Sequence, residues 1–89
     1  MPSKRVDLNQ KEIVFALRRY GATVQHLHTI GHGCPDILVG WRGVNLLIEI
    51  KRGSGKFTPD EIDWFATWRG SVSVVRTVDE AINLLVNVV

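Results

Sequence analysis

Between Asp7 and Gly21, apolar residues recur at Ile13, Ala16, Leu17 and Tyr20, the spacing of one face of a helix. Asp7 with Gln10 three positions on makes a capping-box pattern, and Gly21 is a natural C-terminal stop, so the spacing predicts a helix over residues 8–20. Residues 22–29 alternate imperfectly and predict a strand, closed by a loop at Gly31, Gly33 and Pro35. Asp36 opens a short apolar run, 36–39. Arg42-Gly43 then marks a hairpin turn, and residues 45–51 give the clearest strand of the chain. In that strand Leu46, Ile48 and Ile50 share one face while Leu47, Glu49 and Lys51 share the other. A Gly-Ser loop over 52–57 leads to Thr58-Pro59-Asp60-Glu61, a strong helix start, with the helix predicted to about Arg69 before Gly70. A fourth strand at 72–76 and a helix opened by Thr77 and running to about Asn87 complete the order α-β-β-β-α-β-α.

Composition narrows the class. The chain has 89 residues, 45% of them apolar and 22% charged, which predicts one folded domain over 1–89 with a basic tail at 1–6. The formal charge of +2 permits a nucleic-acid partner without demanding one. Cys34 is the single cysteine, which excludes an internal disulfide and a Cys-based zinc cluster. No apolar run approaches the ~18 residues of a membrane span, and the charged N-terminus has no apolar signal core. The expectation is an intracellular, cytoplasmic protein with no membrane partner.

The chemistry gathers on the hairpin. Glu49 and Lys51 leave the same face of a strand that is otherwise apolar, and a charged pair there is costly unless paired or used. Asp36 opens the neighbouring strand, so its carboxylate can lie beside Glu49 across the ladder, where facing Cβ atoms are about 4.5–5.5 Å apart. Two adjacent carboxylates repel, and a hard divalent cation such as Mg²⁺ resolves the repulsion. Lys51 beside them can orient or deprotonate a water, or stabilise charge on a phosphate. An ordinary cross-strand ion pair explains Glu49 and Lys51 taken alone; Pro35-Asp36 across one short hairpin shifts the balance toward a site.

Pro35-Asp36 followed by Glu49-Ile50-Lys51 resembles the PD-(D/E)xK nuclease signature. With Gly33-Cys34-Pro35-Asp36-Ile37-Leu38, Leu47-Ile48-Glu49-Ile50-Lys51 and a Thr-Pro-led helix around it, the chain resembles the VRR-NUC (virus-type replication-repair nuclease) family from Asp7 to about Val75. The resemblance implies a restriction-endonuclease-like α/β fold, a mixed four-stranded sheet flanked by helices, and an endodeoxyribonuclease dependent on Mg²⁺ or Mn²⁺, phage- or bacterium-encoded. It implies metal ligation by Asp36, Glu49 and the Ile50 carbonyl, with Lys51 positioning water. Glu12 matches the acidic residue that related sites take from the first helix, and reads equally as a surface glutamate. Where relatives carry Gln, this chain has Glu61, read here as the N3 member of the capping box and not as a site residue. A small catalytic domain of this kind looks like a homodimeric resolvase of four-way (Holliday) junctions. Another DNA substrate for nicking or restriction, or a non-catalytic binding module, are the alternatives. No small-molecule cofactor is expected.

The remaining polar and aromatic residues divide between plain and functional readings. Arg52 and Lys56 beside Lys51 are candidate phosphate contacts, as are His32 before Asp36 and Lys11 in the basic series Lys4, Arg5, Lys11, Arg18 and Arg19. His26 and His28 lack a third ligand at suitable spacing and read as strand residues; Cys34 reads as a small buried residue. Trp64 and Trp68, four apart, belong on one helix face, as core or as the dimer interface.

Overall fold

The computed structural model describes residues 7–89; the basic tail with Lys4 and Arg5 lies outside the described residues. The elements are α1 (Leu8–Tyr20), β1 (Thr23–His26), β2 (Ile37–Trp41), β3 (Val44–Ile50), α2 (Pro59–Thr67), β4 (Ser73–Val75) and α3 (Val78–Val86), in the order that the hydrophobic pattern predicts. They build a mixed sheet in the order β1-β2-β3-β4, with the first three strands antiparallel and β4 parallel to β3. The β2–β3 turn is tight because Arg42 and Gly43 both take positive φ (51° and 78°), the twist that two-residue hairpins favour.

One face of the sheet carries the core. Ile37 and Val39 of β2, Ile48 and Ile50 of β3 and Val75 of β4 are buried against Ile13, Val14 and Leu17 of α1 and Ala81 and Leu85 of α3. The Trp41 indole N–H donates to the Leu85 carbonyl at 3.1 Å, tying the hairpin end to α3. The other face is covered more thinly, since α2 has no fully buried residue. No helix among the described residues is long and apolar enough to cross a membrane.

Several boundaries differ from the expectation, each for a local reason. β1 ends at His26 instead of Thr29: the Leu27 amide still donates to the Asp36 carbonyl, and then Ile30 N–H folds back to the Leu27 carbonyl. α2 ends at Thr67, with Trp68 already extended (φ −71°, ψ 128°) as its cap. Gln10 does not complete a capping box. The Asp7 carboxylate accepts the Gln10 amide, but the Gln10 side chain is buried and meets His26 Nδ1 at 3.2 Å. The Thr58–Glu61 box is complete in both directions.

Candidate active site

The hairpin register creates the site. His26 pairs with Ile37 and Ile37 with Ile48, so Asp36, one step before the ladder begins, stands opposite Glu49. β2 is too short to reach Ile50. The Ile50 amide, which faces that side, would be left without a strand partner; the Asp36 carboxylate accepts it instead, at 2.8 Å. This bond pins Asp36 beside β3, and the Ile50 carbonyl emerges along the same edge. On the far side, the Lys51 amide donates to the Val75 carbonyl at 3.0 Å.

Glu49 and Lys51 share the sheet face opposite the core, as the alternation predicts. Glu49 is only 2% exposed. Lys51 Nζ lies 3.3 Å from Glu49 Oε2 and 2.5 Å from Glu61 Oε1, and 5.1 Å from the centre of the Phe57 ring. Glu61 Oε1 also accepts the Thr58 amide at 2.9 Å. The capping glutamate therefore holds the lysine as well, which corrects the expectation that Glu61 serves only as a cap. Its position depends on Gly33. A Cβ there would sit 2.2 Å from the Asp60 carbonyl oxygen, so only glycine, at φ +83°, lets the loop before Asp36 press on the first turn of α2.

The first helix contributes differently from the expectation for Glu12. With Gln10, Ile13, Val14 and Leu17 buried, Glu12 falls about 150° from the middle of the buried arc, and it is exposed. Asn9 is the residue of α1 that reaches the site strand: its amide donates to the Lys51 carbonyl at 3.1 Å and the Arg76 carbonyl at 3.3 Å. Asp7 lies near enough for its charge to act on Asp36. Asn9 carries no hydrophobic or capping signature, and its neighbourhood is set by tertiary packing alone.

The electrostatics are those of a crowded acidic site. Burial pushes the Glu49 carboxyl up to about 8, reinforced by the Asp36 and Glu61 carboxylates and only partly offset by Lys51. Asp36 is raised by burial too, against the lowering effect of the Ile50 amide. Burial alone would lower Lys51, but Glu61 and Glu49 outweigh it and the ammonium is held above its ordinary value. Glu61 is held low despite burial, because Lys51 and the Thr58 amide bond its charged form.

Glu49 Oε1 is buried and has no hydrogen-bond partner among the described residues. An orphaned carboxylate oxygen next to a second carboxylate fits a divalent cation, which would neutralise both. No group of three or more His, Cys, Asp or Glu converges as a metal cluster among the described residues. The donors on the protein side are therefore the Asp36–Glu49 pair, a set that suits an ion keeping water or phosphate oxygens in its shell.

The other candidates lie around this centre or away from it. Arg52 and Lys56 are exposed on the loop that follows Lys51, and His32 is exposed with a left-handed backbone (φ 57°) next to Gly33. Cys34 is half-buried, and its thiol is pushed up by burial and by Glu49 and Asp36. Lys11 is exposed on α1. Trp64 and Trp68 stack with ring centres 4.6 Å apart, and Trp68 is 46% exposed.

No protein-family model and no curated protein matches the sequence. A solved structure titled "VRR_NUC domain" is similar, with a TM-score of 0.69 and 26% identity over 90% of this chain and 92% of that one. The fold is that of a VRR_NUC domain, and the paired carboxylates and lysine on its hairpin, together with this likeness, support a VRR-NUC-type nuclease of the PD-(D/E)xK class.

Proposed function

We propose that the protein is a metal-dependent, structure-selective DNA endonuclease that acts as a homodimer on four-way junctions. The observation that carries this reading is Glu49, a buried carboxylate with one orphaned oxygen, beside Asp36 and under the Lys51 ammonium. A divalent Mg²⁺ or Mn²⁺ ion would be held by Asp36, Glu49 and the Ile50 carbonyl, and would supply Lewis-acid charge to the scissile phosphate. Lys51 is held charged by Glu61 and Glu49, so it donates hydrogen bonds and does not serve as a base. It orients the attacking water and stabilises negative charge as the new P–O bond forms and the bond to the leaving oxygen breaks. Glu61 keeps that ammonium in place, and Arg52 and Lys56 take flanking phosphates. The thinly covered helix α2, with Ile62 57% exposed on one side and the stacked Trp64 and Trp68 on another, supports a two-fold interface.

The test is cleavage of labelled duplex, flap, single-stranded and four-way DNA with Mg²⁺, Mn²⁺ or EDTA. Paired nicks in the four-way substrate are expected with either metal and none in EDTA. Asp36→Asn and Lys51→Met should each abolish them while the circular dichroism spectrum stays native. Cleavage that persists in EDTA, or in both variants, defeats the metal–lysine reading; efficient cutting of linear duplex alone defeats the junction assignment.

A further inference from the structure

Behind the edge strand β1, α1 leaves a groove of about 330 Å³ lined by Lys11, Val14, Phe15, Arg18 and His26. Phe15 is 63% exposed, an unusual state for a large aromatic ring in the middle of a helix. It is surrounded by cations at helical spacing. Lys11 stands one turn before it, and Arg18 and Arg19 stand one turn after, with the Arg19 guanidinium 5.8 Å from the ring centre. Arg18 is steadied by its bond to the Val24 carbonyl at 3.2 Å, and Lys11 makes no ion pair among the described residues. The floor is fixed as well, because His26 is held by the Gln10 amide.

An exposed aromatic face within a ring of cations is the arrangement that takes a nucleobase by stacking and its phosphates by charge. Fully paired DNA hides its base faces, so the groove suits an unpaired nucleotide. Its position is relevant to the cut. His26 pairs with Ile37, the residue after Asp36, so the groove lies one strand away from the start of β2, on the opposite face of the sheet from Glu49 and Lys51. A strand leaving the carboxylates can round the β1 edge to reach it.

We propose that this groove binds an unpaired nucleotide of the DNA substrate, with the base against Phe15 and the phosphates on Lys11 and Arg18. The proposal rests on the nuclease reading for its ligand, and it narrows the substrate to DNA with unstacked bases beside the cut.

Binding is measured in EDTA by fluorescence anisotropy, with labelled oligothymidylate of about a dozen nucleotides and a duplex of equal length. Phe15→Ala should weaken oligothymidylate binding roughly 5- to 150-fold, the equivalent of about 1–3 kcal/mol of base stacking, and leave duplex affinity unchanged. Phe15→Trp should restore it. Lys11→Gln should reduce the slope of log K against log salt by about 0.7. Oligothymidylate affinity unchanged by Phe15→Ala overturns the proposal. So does an equal loss on both probes, or a fall in mass by light scattering in the alanine variant, which would make Phe15 a contact between copies of this chain. Because no metal or cleavage enters the assay, an inactive enzyme would refute the nuclease reading while leaving this result to stand or fall alone.

Discussion

In metal-free buffer, stability should fall as pH rises through neutrality, and Glu49 should be the cause. Its carboxyl titrates near 8 in the folded protein because it is buried next to Asp36, against an ordinary value of 4.5. Between those values the folded chain keeps a proton that the unfolded chain releases. The stabilisation is complete below about 4.5, shrinks with increasing pH, and is gone above about 8. One proton corresponds to a slope of ~1.4 kcal/mol per pH unit, or about 2–3 kcal/mol between pH 5.5 and 7.5. That is an upper bound, because the surroundings relax when a buried carboxyl ionises. For a chain of this size it amounts to a fall on the order of 10–20 °C in melting temperature. Asp36, raised in the same direction, steepens the acid end. Glu61 is held low and Lys51 high, so both change charge outside this window. Thermal melts of wild type and Glu49→Gln in EDTA across this range provide the assay. The variant should lose the Glu49 slope and be the more stable protein at pH 7.5. Saturating Mn²⁺ should then raise the wild type by about 2.7 kcal/mol at a hundredfold excess over Kd, and the variant far less. A flat wild-type profile in EDTA, or the same slope in both proteins, refutes the argument.

Gly33→Ala should lower both stability and cleavage: left-handed backbone costs a non-glycine residue about 1–2 kcal/mol, and the new methyl would displace the turn that presents Glu61 to Lys51. Melting together with single-turnover cleavage checks it; native activity would show that α2 need not sit against the loop. Arg76→Met should raise KM more than it lowers kcat. The Arg76 guanidinium donates to the Gly53 and Gly55 carbonyls at 2.7 and 3.1 Å, and so steadies the loop that bears Arg52 and Lys56. If the proposed dimer forms through α2, light scattering should give a dimeric mass for the wild type and a monomeric mass for Trp68→Glu with the fold retained; a monomeric wild type or an unchanged mass in the variant refutes this interface.

How much the sequence disclosed depends on how local each interaction is. Period-two alternation put Glu49 and Lys51 on one face, and the short hairpin put Asp36 opposite Glu49, because strand register is a local consequence of a two-residue turn. Glu61 was legible only in half of what it does. Its bond to Thr58 spans three residues and leaves a pattern, whereas its bond to Lys51 depends on Gly33 approaching α2, which no local pattern encodes. The match of Glu12 to related sites rests on resemblance alone, while the rotation of α1 is decided by Ile13, Val14 and Leu17, together with Gln10, which prefers His26 to its own helix end. Asn9 gave no sign at all: a small polar residue in a first turn looks the same whether it faces water or two strand ends.

The hairpin also acts as a ruler with one end free. Asp36 and Glu49 are aligned at its open end, while Arg42 and Gly43 form the distant tip, and neither of these two touches the carboxylates. Adding one residue to each strand would lengthen the arm and keep the carboxylates facing each other. Losing one residue from β2 alone would turn the Asp36 side chain to the other side of the sheet, among the core residues, and dismantle the pair. Variation at the tip is therefore inexpensive for this protein, whereas the twelve residues between the two carboxylates can change in number only in matched steps.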